Sequence, residues 1–188
     1  MSYSNMKYTL IILALLLIGS ACKENKQSIR EIHVYFDLDS LLDEQVYTLA
    51  DRGATVNKIV KMNGETESRS MEPDTTVWKE EFSVIRDFNL NRPFYVGLFQ
   101  EHKEENIISY QSSDEDVAVK KFDMFYEDGE LVRIESLLQE SKYIYSNERK
   151  LTLEFQDGLL KFYQLDGEQK MILQDKEDYV VSGSISVQ

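Results

Sequence analysis

Several residue types are scarce in this sequence, and each shortage narrows the chemistry open to it. A single cysteine excludes an internal disulfide. The two histidines, His33 and His102, do not lie at a spacing typical of zinc ligands or of a Ser-His-Asp triad. Phosphate-binding glycine-rich loops and the Gly-x-Ser-x-Gly elbow of hydrolases are absent from the sequence. We therefore assign no catalytic residue, no metal site and no cofactor.

Basic residues are also few. The sequence has 21 Lys and Arg against 34 Asp and Glu, which gives a net charge of −13. Lys7 is the only charged residue before Cys22, so the rest of the chain carries 20 minus 34, or −14. Contacts to nucleic acid phosphates and to anionic lipid headgroups both require clustered Lys and Arg. The charge balance argues against a nucleic acid partner and against electrostatic docking on anionic lipid.

The N-terminal segment has the parts of a secretory signal peptide. Lys7 precedes the apolar run Leu10–Ile18, and the small residues Gly19, Ser20 and Ala21 follow it. The apolar run is too short to span a bilayer comfortably, since a transmembrane helix needs ~20 apolar residues, so an uncleaved signal anchor is the weaker alternative. Residues 1–21 are therefore predicted to be a signal peptide, with translation starting at Met1 or Met6.

The signal peptide ends at the only cysteine, Cys22. The sequence Ile18-Gly19-Ser20-Ala21-Cys22 resembles the lipobox of bacterial lipoproteins, although Gly19 stands where that family usually has leucine. The resemblance implies lipid attachment to Cys22 and a place in the bacterial cell envelope, anchored at the outer membrane on its periplasmic or surface face. The alternative is an ordinary signal peptide with an incidental cysteine. Residues 22–29 are predicted to form the lipidated cysteine and a polar tether.

Two amphipathic helices and a hairpin are predicted early in residues 30–188. Apolar residues at helical spacing predict helices over residues 39–51 and 76–88, with Asp37 or Asp39 as a cap of the first. Between them, the strands 55–62 and 65–71 flank Asn63-Gly64, a pair typical of a tight hairpin turn.

From residue 94 onward the hydrophobic pattern has a period of two, which predicts strands. The expected strands are 94–103, 106–111, 117–126, 131–138, 142–145, 151–156, 159–165, 170–173 and 179–185. Asp-Gly pairs at 128–129, 157–158 and 166–167 predict hairpin turns. We therefore predict a single α+β domain, mainly a meandering antiparallel sheet curled into a half-barrel or barrel-like form, over residues 30–188.

One stretch invites an enzymatic interpretation. The apolar segment that ends in Asp37-Leu38-Asp39 resembles motif I of haloacid-dehalogenase-type phosphatases, which implies a nucleophilic Asp37 and an acid/base Asp39 around magnesium. That fold requires alternating strands and helices around a parallel sheet, whereas the pattern after residue 93 predicts hairpins. Capping of the first helix is the simpler interpretation of this pair.

Aromatic residues are the other candidates for function. Several decorate the predicted strands and the second helix, and the candidate binding residues are Trp78, Tyr95, Tyr110, Tyr126 and Tyr143. Core packing is the simpler expectation, and the alternative is that some of them line a cleft. The leading hypothesis is a membrane-anchored, non-enzymatic binding module with an envelope protein as partner. The alternatives are a carrier of a lipid or other apolar ligand in a half-barrel or lipocalin-like cavity, and a carboxylate-based hydrolase.

Overall fold

A computed structural model describes residues 34–187. The predicted signal peptide, Cys22, the tether and His33 lie outside the described residues. In the part of the chain that the structure describes, no helix is both long and apolar enough to cross a bilayer.

The first helix, α1, spans Leu38–Asp51. It begins where the Asp37 carboxylate accepts a hydrogen bond from the backbone N–H of Ser40 at 3.0 Å, which is the arrangement of an N-cap. It ends before Gly53, which adopts a φ of +59°. The predicted amphipathic helix and the capping role of Asp37 are confirmed.

The hairpin after α1 also matches the prediction. Strand β1 spans Thr55–Met62 and pairs with β2, Glu65–Met71. Asn63 and Gly64 both have positive φ, at 49° and 86°, as a two-residue hairpin turn of this class requires.

The second helix is shorter than predicted. Helix α2 spans Thr75–Glu81, and the chain then forms a separate 3₁₀ turn at Ile85–Phe88. The side chains of Trp78, Phe82, Ile85 and Phe88 are nonetheless all buried. The apolar spacing correctly predicts which side chains are buried, but two short helical segments bury them rather than one continuous helix.

Seven further strands follow a 3₁₀ turn at Pro93–Tyr95. They are β3 Gln100–Glu104, β4 Ile107–Gln111, β5 Val119–Glu127, β6 Glu130–Lys142, β7 Tyr145–Gln156, β8 Leu159–Met171 and β9 Glu177–Ser186. Each pairs antiparallel with the next in the chain, and β9 then pairs with β1. The result is one nine-stranded sheet in the order β2-β1-β9-β8-β7-β6-β5-β4-β3.

This sheet confirms the predicted α+β class and the antiparallel meander. Strands β2 and β3 are the two edges and are not paired with each other, so the sheet is open rather than a closed barrel. Its inner face packs against α1 and α2, and the core contains the fully buried Leu42, Trp78, Phe82, Phe122 and Ile134.

Four predictions about the strands and turns are wrong. The strand expected over 170–173 is instead the end of β8 and the start of the turn that follows it. The strand expected over 94–103 begins only at Gln100, after the 3₁₀ turn. The strand expected over 142–145 is instead the turn that joins β6 to β7. Asp166-Gly167 is not a turn, because β8 runs through it without interruption and pairs with β7 and β9.

Because the strands alternate in direction, alternate connections lie at the same end of the sheet. We call one of these ends the hairpin end. It contains the connections at residues 63–64, 112–118, 143–144 and 172–176, and the segment that leads into β3. The turns at residues 105–106, 128–129 and 157–158 lie at the opposite end.

Candidate functional site

The aromatic residues that the sequence analysis singled out do not come together. Trp78 is completely buried against Phe82, with ring centroids 5.3 Å apart. Tyr95 and Tyr110 are also buried, and Tyr126 is half-buried. Tyr143 is different, because it is 94% exposed at the turn between β6 and β7.

The buried tyrosines have hydrogen-bond partners within the protein. The Tyr95 hydroxyl accepts from the backbone N–H of Ala118 at 3.1 Å, which ties the loop before β5 to the 3₁₀ turn. The Tyr110 hydroxyl donates to Glu101 Oε1 at 2.8 Å, and burial, followed by this carboxylate, raises the Tyr110 pKa. Burial also raises the pKa of Tyr126. These residues stabilise the domain from within.

The phosphatase-like pair is engaged in structural contacts. Asp37 caps α1, while Asp39 accepts hydrogen bonds from Arg86 at 3.1 Å and from the Asn89 amide at 2.5 Å. These contacts join α1 to the 3₁₀ turn at Ile85–Phe88. Within residues 34–187, no group of three or more Cys, His, Asp and Glu side chains is placed to hold a metal ion.

Glu81, at the end of α2, is one of two carboxylates in residues 34–187 whose side chains are 7% exposed, the other being Asp123. The Oε1 atom of Glu81 lies 2.7 Å from Lys58 Nζ. The hydroxyl of Tyr163 also donates to Oε1. Burial, followed by Glu81, raises the pKa of Tyr163, so this phenol stays neutral well above the ordinary range. The three residues join α2 to β1 and β8, and the carboxylate has little surface left for a ligand.

An open cleft of about 550 Å³ lies toward the hairpin end, between the loop before β5 and strands β6, β7 and β8. We call it the polar cleft. Its size falls within the range typical of ligand sites. It is lined by Glu115, Lys120, Gln139, Glu140, Ser141, Ser146, Asn147, Glu148 and Glu168. Four of these side chains are carboxylates and one is an ammonium, so the lining is predominantly acidic.

Neighbouring donors hold two of the carboxylates in place. Glu148 Oε2 accepts from the Gln139 amide at 2.8 Å, and this hydrogen bond is the main reason that the Glu148 pKa is lowered. Glu140 Oε2 accepts from the Tyr145 hydroxyl at 3.0 Å. Burial, followed by Glu140, raises the Tyr145 pKa. Glu148 therefore carries its charge at neutral pH and does not suit the proton-donor role of a hydrolase.

Sequence reasoning missed this cleft. The sequence predicts strands over 131–138, 142–145 and 151–156 and leaves residues 139–141 and 146–150 outside them, because the apolar alternation disappears there. In the structure, β6 continues to Lys142 and β7 begins at Tyr145. The polar ends of these two strands form the floor of the cleft. Glu115 and Glu168 come from distant parts of the chain, so no local motif marks the site.

Comparisons with known proteins do not assign this chain to a family. No family model matches the sequence, and no curated protein matches it. Among solved structures, an S-type phycobiliprotein lyase from Guillardia theta is 10% identical, with 81% of this chain and 98% of that chain covered and a TM-score of 0.26. A superposition this loose carries no argument about the fold or the function.

Proposed function

We propose that this chain is a lipid-anchored protein of the bacterial cell envelope whose folded domain is a non-enzymatic binding module. The observation that carries the binding proposal is the polar cleft, with four carboxylates and one ammonium around about 550 Å³. Such a lining favours a positively charged ligand, and we propose a partner protein that inserts Lys or Arg side chains.

The contacts around the cleft support this proposal. Gln139 keeps Glu148 ionised, and Tyr145 holds Glu140 in position, so part of the acidic wall is ordered before a ligand arrives. Ordering in advance reduces the entropy that binding would otherwise lose. An apolar-ligand carrier receives no comparable support, because Trp78, Phe82 and Phe122 fill the inner face of the sheet. The hydrolase alternative gains no support from Glu148, because its lowered pKa does not suit a proton donor.

The binding proposal can be tested with a short oligolysine peptide and isothermal titration calorimetry. The variant Glu148→Gln with Glu168→Gln removes two charges from the cleft. The control Glu65→Gln with Glu67→Gln removes two charges from the exposed edge strand β2 and changes the net charge equally. We expect the cleft variant to bind at least several-fold more weakly than the control. Equal affinities would mean that the overall charge, rather than the cleft, attracts the peptide.

The anchoring proposal rests on the lipobox-like segment at Cys22, and it is tested separately. We expect the Cys22→Ser variant to leave the membrane fraction of a bacterial host, because the thiol that carries the lipid is gone. Mass spectrometry of the chain that keeps Cys22 should show a diacylglycerol group on this residue. A Cys22→Ser chain that still sediments with membranes would contradict the lipid anchor.

A further inference from the structure

Two neighbouring turns at the hairpin end expose apolar side chains to solvent. We call them the tips: residues 143–144 between β6 and β7, and residues 171–173, which are the last residue of β8 and the start of the turn that follows it. The exposed fractions are 94% for Tyr143, 55% for Ile144, 41% for Met171, 53% for Ile172 and 99% for Leu173. Continuous apolar surface of this kind on a monomer marks an interaction site.

The tips form one surface rather than two. The backbone N–H of Ile172 donates to the carbonyl of Ile144 at 2.9 Å, which joins the two turns. The N–H of Gln174 donates to the Met171 carbonyl at 3.2 Å. Because these backbone groups already form hydrogen bonds, moving them out of water costs less free energy than moving unpaired groups would.

The tips also project beyond the neighbouring strands. Strand β5 pairs with β6 as far as Val119 and Leu138, and the N–H of Gln139 donates to the carbonyl of Ala118 just before β5. Strand β6 continues to Lys142, and three more residues at ~3.4 Å each add ~10 Å. A projecting apolar tip needs a partner that can close around it, and a fluid bilayer does so without a preformed groove.

The residue types suit the boundary between lipid and water. Tyr143 combines an apolar ring with a polar hydroxyl, as interfacial aromatics do. Lys142 and Lys170 are exposed one residue below each tip, where long stems can reach back to the headgroups. Acidic residues such as Glu177 and Asp178 lie nearby and offset these charges. The surface therefore fits a zwitterionic bilayer better than an anionic one.

The chain that leads from Cys22 enters the domain toward the same end. The amide N–H groups of Val34 and Tyr35 donate to Asn91 Oδ1, and the Tyr35 hydroxyl bonds the backbone of Tyr95 and Gly97. Gly97 belongs to the segment that leads into β3 at the hairpin end. Twelve residues from Cys22 to Val34 span at most ~40 Å, so one bilayer can hold both the lipid and the tips.

We propose that the two tips insert into the lipid–water interface of the membrane that holds the anchor, so that the hairpin end faces the bilayer. The inference rests on the proposed anchoring for its orientation. It adds a second contact that fixes how the polar cleft is presented above the membrane.

The test uses the full lipidated chain on phosphatidylcholine vesicles. Lipidation blocks the only native thiol, so Tyr143→Cys offers one site for the environment-sensitive dye NBD, with Glu105→Cys at the opposite end as the matched control. We expect vesicles to increase NBD emission several-fold at position 143 only. Lipids with a doxyl quencher in the acyl chain should reduce that emission, while iodide should quench the dye at position 105.

The outcomes separate the tips from the anchor. Flotation with vesicles while iodide still quenches position 143 would overturn the tip proposal and keep the anchor. In a Cys22→Ser background, increased emission at 143 at high lipid concentration would support the tips without the anchor. If the chain neither floats with vesicles nor shows increased emission at position 143, both the anchor proposal and the tip proposal are wrong. Emission at 143 that rises with protein concentration without lipid would instead indicate a second copy as the partner.

A charge substitution provides an independent test of the same surface. Leu173→Asp places a carboxylate at the most exposed tip residue, and we expect it to abolish the emission change at position 143. Val84→Asp changes an exposed apolar residue outside the sheet and should leave the change intact. Equal behaviour of the two variants would overturn the assignment to the tips.

Discussion

The ring of Tyr163 on β8 occupies the space that a side chain at Gly183 on β9 would fill. The two residues are directly paired across the strands, and a Cβ on Gly183 would overlap the ring carbons and the hydroxyl of Tyr163. The relationship is reciprocal, because Tyr179 on β9 covers Gly167 on β8 in the same way. Each tyrosine ring packs over the backbone of a glycine in the neighbouring strand, an arrangement that stabilises glycine within a sheet.

This relationship predicts that Gly183→Ala is destabilising. The added methyl group displaces Tyr163 and breaks its hydrogen bond to Glu81, so we expect a loss of about 1–3 kcal/mol in the free energy of unfolding. Urea denaturation followed by the fluorescence of Trp78, the only tryptophan, measures it. Gly167→Ala is the matched comparison and should lose less, because Tyr179 is half-exposed and can move aside. An equal or smaller loss for Gly183→Ala would contradict this account.

A second prediction concerns the Glu81 carboxylate. Glu81→Gln keeps the size of the side chain but leaves Lys58 without its ion-pair partner. Because the position is buried, we expect the free energy of unfolding to fall by about 1–3 kcal/mol, as measured by urea denaturation. The control Glu135→Gln disrupts the pair with Arg133, in which both side chains are more than 40% exposed. Exposed pairs contribute little, so a control as costly as Glu81→Gln would refute the role of burial.

The raised pKa of Tyr163 predicts a dependence of stability on alkaline pH. Above about pH 10 the tyrosine of the unfolded chain loses its proton, while the buried phenol keeps it. The folded state then binds more protons than the unfolded state, so the free energy of unfolding falls as pH rises from about 10 toward the raised pKa.

Tyr163→Phe removes this titration, and we expect a shallower decline of stability between about pH 9.5 and 11.5. Urea denaturation across that range gives the slope. The control is Tyr143→Phe at the exposed tip, which should leave the profile unchanged. A slope in Tyr163→Phe as steep as in the unsubstituted chain would mean that other groups determine the alkaline response.

Asn91 predicts the behaviour of the segment that leads into α1. Its Oδ1 accepts from the amide N–H groups of Val34 and Tyr35, and its Nδ2 donates to the carbonyl of Phe36 at 3.0 Å. We expect Asn91→Ala to speed amide hydrogen exchange across residues 34–37 at least tenfold while α1 keeps its protection. Hydrogen exchange with mass spectrometry provides the measurement. The exposed Asn57→Ala on β1 is the control, and similar exchange in both variants would contradict the role of Asn91.

Much of the fold followed from local sequence. Asn63-Gly64 and two of the three Asp-Gly pairs form the predicted turns with positive φ at both residues. The third pair, Asp166-Gly167, has the same composition but lies within β8, where it pairs with β7 and β9 and Tyr179 covers Gly167. The pair itself does not encode these neighbouring strands.

The candidate site shows the same division. Only Tyr143 among the five aromatic candidates is freely exposed, because the others lie on faces that the helices or the facing side chains cover. The polar cleft was not anticipated, since its strands lose their apolar alternation where the helices no longer cover the sheet. A strand that is wet on both faces has no periodicity to reveal it.

The sequence by itself determined the α+β class, the antiparallel order of strands, the cap of α1 and the first hairpin. These features depend on backbone preferences and on apolar spacing within a few residues. Only the tertiary structure decided which aromatics are buried, that Glu81 meets Tyr163 across 82 positions, and that Glu115 and Glu168 face one cleft. Such contacts arise from the register of strands far apart in the chain, which local preferences do not specify.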